Sequence, residues 1–139
     1  MSELLFGHDE TVAEWVAAQP FGQKFHAPYT TIGVISNERL TGGFVFTSYT
    51  GPSVNLSLAG RGVLAPTIWA CVLDYVFVQM KCVRLGCHTS KSNKMVRRCL
   101  PHLGFKFEGT SRRLYGEHDG YSFSLTIDDL PAFRKRWRL

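Results

Sequence analysis

The order of elements along this chain predicts an α/β fold, a mixed sheet with helices on its faces. Three observations carry that expectation. Residues 30–58 hold three short β-rich runs separated by turns, which suggests an antiparallel N-terminal meander. Residues 64–80 are apolar almost throughout and long enough for a buried helix. Within residues 83–127 a strand, a short helix and a β-hairpin follow, giving a central α-β-α unit with a hairpin behind it.

Asp9 is a plausible N-cap, and Val12, Trp15 and Val16 recur at helical spacing up to Gln19. Pro20 stops that helix. Residues 21–28 carry glycine and proline and read as loop. Residues 30–36, 41–50 and 53–58 are strands, with turns at 37–40 and at Gly51-Pro52. Residues 59–62 form a loop, and Pro66 suits the first turn of the next helix, where a missing N–H costs nothing. Residues 83–89 form a strand, Ser90 or Ser92 caps a helix running to Leu103, and Pro101 disturbs its last turn. Residues 105–115 and 120–127 pair across a turn at 116–120. Asp128 or Asp129 starts a short terminal helix.

Composition narrows the function classes. The chain has 139 residues, the size of one domain, and 45% hydrophobic residues, which opposes disorder. The opening decapeptide is acidic and breaks early, so no secretory leader is expected and the setting reads as cytoplasmic. Residues 63–80 resemble a membrane span in hydropathy alone. Asp74 near their middle would cost roughly 2.5–3.5 kcal/mol in a bilayer, so a buried helix is the better reading. The four cysteines, at 71, 82, 87 and 99, form no C-x-x-C pair. Residues 82–87 read as a strand, and an odd separation puts Cys82 and Cys87 on opposite faces. Free thiols and no metal are therefore expected. The net charge of +5 is concentrated late, at Arg97, Arg98, Lys106, Arg112, Arg113 and residues 134–138. Such an excess suits nucleic acid, an anionic cofactor or a solvated surface; no alternating aromatic pattern favours the first.

The most specific pattern spans residues 93–113. An amide residue, Asn93, opens a short helix that ends at Gly104, and the β-rich Phe105-Lys-Phe-Glu-Gly109 follows at once. This order resembles the C-terminal half of the GNAT superfamily of N-acetyltransferases, whose members often read N-x-x-(A/S)…LGF…EG-x-x-R. The resemblance covers roughly residues 30–127. With Trp15, Ile32-Gly-Val and the closing Arg-Trp it is similar to short GNAT-like proteins of phages and prophages.

The resemblance implies an acyl-CoA-dependent N-acyltransferase with acetyl-CoA as cofactor. In the superfamily a (Q/R)-x-x-G-x-(G/A) loop holds the pyrophosphate on backbone amides. Aligned on Arg61, this chain has Leu64 and Pro66 where the small residues belong. The implied cradle is Arg61, Gly62, Val63, Leu64 and Ala65, at a helix start that favours anions. The strand ending in Leu56, Ser57 and Leu58 is expected to splay from strand 83–89, with the thioester in the gap. Asn93 is implied near the pantetheine arm, and Arg97 or Arg98 toward the cofactor. The superfamily's usual general acid, a tyrosine seven residues after the asparagine, is replaced by Leu100. Tyr49 or a water is then the expected proton donor. His26, His88, Glu108 and His118 are candidate bases, with His88 best placed on its strand. A small-molecule or protein amine is the expected acceptor, by direct attack. Two other functions fit the same pattern: nucleic-acid modification of the kind the phage Mom proteins perform, and a degenerate GNAT protein that only binds a partner.

Overall fold

The computed structural model describes residues 2–138. Its sheet has seven strands in the order β1-β2-β3-β4-β5-β7-β6. They are β1 (Ser2–Leu5), β2 (Tyr29–Ser36), β3 (Arg39–Thr47), β4 (Ser53–Gly60), β5 (Arg84–Ser90), β6 (Lys106–Tyr115) and β7 (His118–Thr126). Every neighbouring pair is antiparallel except β4 with β5. The expected mixed sheet, N-terminal meander and C-terminal hairpin are all present. One strand, β1, was not legible in the sequence. Four polar and apolar residues without β-branching give no strand signal, and β1 exists because it completes the edge of β2.

Helix α1 (Asp9–Ala17) covers one face of the meander. Asp9 does not cap it; His8 holds that position. The Asp9 carboxylate instead accepts from the backbone N–H and the hydroxyl of Thr31, both at 2.9 Å, which ties the helix start to β2. Val12, Ala13 and Val16 then pack on Val45. Gly43 permits that closeness, since a Cβ there would lie 2.8 Å from a Val16 methyl.

The opposite face carries the main core. Helix α2 (Pro66–Asp74) starts with Pro66 at its first position and passes into a π-helical turn, Tyr75–Gln79. Ile68, Trp69, Val72, Leu73 and Val76 pack on Ile32, Val34, Phe44, Phe46, Val54 and Leu56. Helix α3 (Lys94–His102) and helix α4 (Leu130–Trp137) lie on the same core through Leu100, Leu103, Leu130 and Phe133. α3 is capped by Asn93, whose Oδ1 accepts from the Val96 N–H at 3.4 Å; Ser90 and Ser92 bond each other instead. A capping box of Thr126 and Asp129 starts the last helical segment. Among the described residues no helix is long and apolar enough to cross a membrane.

The cysteine geometry differs from expectation. β5 begins at Arg84, so Cys82 precedes it, and both Cys82 and Cys87 are buried in the one main core. Burial pushes both thiols up, Cys87 to about 12, which keeps them protonated and unreactive. Among the described residues no three His, Cys, Asp or Glu side chains gather as metal ligands.

Candidate active site

The parallel pair β4–β5 makes the site. The two strands pair only at their first residues, Ser53 with Arg84, Val54 with Leu85 and Asn55 with Gly86. Beyond these, residues 56–60 and 87–90 have no partner across the gap. A parallel ladder that stops midway leaves two facing rows of backbone amides and carbonyls. β3 continues to pair β4 up to Gly60, and β7 continues to pair β5 up to Ser90, so each strand is held rigidly from its outer side.

A cavity of about 330 Å³ fills this opening. Ser57, Leu58 and Ala59 line one wall, and Cys87, His88, Thr89 and Ser90 the other. Ser92, Asn93 and Val96 at the start of α3 close one end. Tyr115 and His118, from the β6–β7 hairpin, and Phe21, Gln23 and Phe25, from the loop after α1, complete it. A second recess of about 390 Å³ adjoins it, lined among others by Gln23, Lys24, His26, Thr47, Asn55, Leu56 and Leu114. Ser57, His88 and Tyr115 belong to both, so they stand where the two recesses meet.

The residues singled out in the sequence fall into three groups. Leu56, Ser57, Leu58, His88 and Asn93 line the gap or its adjoining recess. Arg61, Gly62, Val63, Leu64 and Ala65 lie past Ala59, at the start of α2. The amides of Arg61 and Ala65 are already engaged, by Thr41 O at 2.6 Å and Gly62 O at 3.0 Å. Ala65 therefore cannot serve as an amide donor. Among the described residues the amides of Val63, Leu64, Thr67 and Ile68 have no hydrogen-bond partner, and the first turn of α2 holds no acidic residue. That set of open donors at a helix start fits a pyrophosphate. Gly60 makes the loop possible: at φ +93° a Cβ would lie 2.3 Å from Thr41 O.

Tyr49 and Arg97 are not brought to the gap. β3 ends at Thr47, and Ser48 at φ +55° turns the chain outward. Tyr49 is 58% exposed, and its hydroxyl donates to Met80 O at 3.3 Å. Arg97 donates to Lys91 O at 2.7 Å and stacks over the Tyr121 ring at 4.5 Å, on the outer side of α3. Leu100, at the position of the expected acid, is fully buried in the core.

Tyr115 was missed by sequence reasoning. It ends β6 opposite His118, just before the hairpin turn, and its ring is half-buried between the two recesses. Burial raises its pKa, and Cys87 adds to the effect, so the phenol holds its proton at neutral pH.

His88 faces the side of the sheet opposite Cys87 and is exposed; its Nε2 lies 3.5 Å from Ser122 Oγ. Nearby, Arg84 forms a two-pronged pair with Glu108, Nη2 to Oε1 at 2.6 Å and Nη1 to Oε2 at 2.9 Å. Ser124 Oγ also donates to Oε2, at 2.8 Å. The Arg84 guanidinium first, and then the Ser124 hydroxyl, lower the Glu108 carboxyl from 4.5 to about 2. Glu108 is therefore an ionised anchor and not the base.

A depressed acid contributes stability above its unfolded pKa and loses it as pH falls toward its folded value. With both side chains over a third exposed, at 38% and 39%, the pair is worth at most about 1 kcal/mol. Chemical denaturation between pH 4.5 and 2 is expected to show wild type losing stability faster than Glu108→Gln. Parallel pH profiles would contradict this assignment.

No protein-family model and no curated protein matches this sequence. Solved structures do match its fold. The spermidine/spermine N-acetyltransferase SpeG from Vibrio cholerae superposes with a TM-score of 0.71 over 98% of this chain and 99% of its own, at 12% identity. A GCN5-related N-acetyltransferase from Brucella melitensis gives 0.66 over 78% of this chain and 56% of its own, at 19% identity. The Campylobacter jejuni N-acetyltransferase PseH, solved in complex with acetyl coenzyme A, gives 0.59 over 73% and 70%, at 19% identity. The chain has the GNAT fold.

Proposed function

We propose that this protein is an acyl-CoA-dependent N-acyltransferase that transfers an acetyl group to a primary amine by direct attack. The observation that carries the reading is the splay of β4 from β5. It opens a cavity that runs from the α3 N-terminus to His88 and Tyr115. The open amides of Val63, Leu64, Thr67 and Ile68 would hold the pyrophosphate, and Asn93 and the edges of β4 and β5 would flank the pantetheine arm.

Acetyl-CoA supplies an activated thioester. A backbone N–H on the unpaired edge of β4 polarises its carbonyl. The amine nitrogen forms the new N–C bond as the C–S bond breaks, giving an amide and the free thiol of coenzyme A. His88 Nε2 receives the proton that the amine releases, directly or through one water. The Tyr115 hydroxyl donates the proton that the sulfur takes up. Both groups line both recesses, so acceptor and acyl donor would meet between them.

The same reading includes a cytoplasmic setting and kinship with the short phage GNAT-like proteins. The test is ligand binding. A site of ~10 μM affinity would add about 2.7 kcal/mol of stability at a hundredfold excess of ligand. Acetyl-CoA is thus expected to raise the melting temperature and give calorimetric heat. Neither signal at millimolar acetyl-CoA would sink the proposal.

A further inference from the structure

We propose that the acceptor is an amine that carries an anionic group, a carboxylate or a phosphate, which Lys24 and His26 receive in the recess between the loop after α1, β3 and the β6–β7 hairpin. The inference rests on the acyltransferase reading and names the substrate class of that same site.

An acyl acceptor reaches the junction at Ser57, His88 and Tyr115 from one of two sides. The 330 Å³ cavity is bounded by Ser92, Asn93 and Val96, the side of the cofactor helices. The 390 Å³ recess is then the acceptor's. Its lining offers Gln23, Thr47, Asn55 and Ser57 as neutral hydrogen-bonding groups, and Lys24, His26 and His88 as basic groups. None of the chain's 11 Asp and Glu residues lines either recess.

Glu108 lies near His88, but both its oxygens accept from Arg84, one of them also from Ser124. Its charge is balanced by Arg84, and it lines neither recess. A polyamine would therefore bring two or more positive charges to a wall that holds one fixed positive charge and no free carboxylate, a like-charge mismatch. An amine with a carboxylate or phosphate brings the complementary sign. Phe25 and Leu114 leave an apolar strip beside the polar groups, so a short aliphatic or sugar-like body fits between amine and anion.

The experiment follows thiol release from acetyl-CoA with matched amines at equal concentration: phosphoethanolamine and β-alanine as amines with an anionic group, ethanolamine and β-alanine amide as partners without it, and spermidine as polycation. Calorimetry with acetyl-CoA alone is run first. The expected result is transfer to at least one amine with the anionic group about fivefold or more faster than to its partner without it, with spermidine slowest. In Lys24→Glu that preference is expected to fall by about tenfold, with acetyl-CoA affinity unchanged. Equal rates within the pairs, a faster rate with spermidine, or no transfer to either amine with the anionic group while acetyl-CoA binds would each overturn the proposal. Failure of acetyl-CoA to bind would instead remove the acyltransferase reading beneath it.

Discussion

Trp69→Ala is expected to cost about 3–5 kcal/mol of folding stability from lost packing alone. Trp69 is fully buried at the centre of the main core, beside Phe44 and Phe105 at ring separations of 6.2 and 5.9 Å. Its indole N–H also donates to Leu103 O at 3.2 Å, across from α2 to the end of α3. Removing the donor leaves a buried carbonyl without that partner, a further cost of about 1–3 kcal/mol. Domains have only about 5–15 kcal/mol in total, so the variant should lose a large share of its stability. Trp69→Phe separates the two contributions: it keeps most of the packing and loses the hydrogen bond, and should cost far less than the alanine variant. Urea unfolding followed by circular dichroism measures both. A loss below about 1 kcal/mol for Trp69→Ala, below the usual large-to-small core cost, would mean that α2 and α3 are not joined through this side chain. The consequence would reach function, because α2 and α3 are the helices whose first turns border the proposed cofactor site.

Much of this architecture was readable in the amino-acid sequence, for identifiable reasons. The meander shows because β2, β3 and β4 are rich in β-branched and aromatic residues and are separated by polar or glycine-containing turns. α2 shows because its apolar residues run on with Pro66 at the first position. The splay of β4 from β5 came from resemblance, since no local pattern marks where a parallel ladder stops. Side-chain roles were harder. Asn93 was open between capping and ligand contact, and it caps. Leu100 sat at the right spacing for an acid, yet spacing along α3 does not say that the residue points into the core. Tyr49 looked central because strand 41–50 was read too long; β3 stops at Thr47, and the chain leaves the sheet before the tyrosine. Tyr115 was invisible for the converse reason. Its place at the gap depends on pairing across β6, β7 and β5, contacts between residues far apart in the chain.

His88→Ala and Tyr115→Phe are each expected to lower the single-turnover rate of acetyl transfer by roughly 10²–10⁴-fold, the usual contribution of one acid–base group. The expectation rests on position: these are the titratable side chains lining both recesses. Acetyl-CoA affinity should change little, because the open amides of residues 63, 64, 67 and 68 lie beyond the cavity and do not involve either side chain. Rate and affinity therefore report separately. The two variants should also differ in pH profile. With burial holding the Tyr115 phenol protonated above its ordinary range, wild-type rate should stay level on the alkaline side until above the usual tyrosine pKa of about 10. Tyr115→Phe should lose that alkaline limb altogether, whereas His88→Ala should keep it at a lower rate. Tyr49→Phe is the control for a tyrosine outside the gap, and its rate should match wild type. If His88→Ala and Tyr115→Phe both keep wild-type rates with the cofactor bound, neither residue moves a proton and solvent in the gap does so. If Tyr49→Phe alone slows the reaction, the acceptor enters from the Met80 side, and the junction of the two recesses is not where the acyl group is transferred.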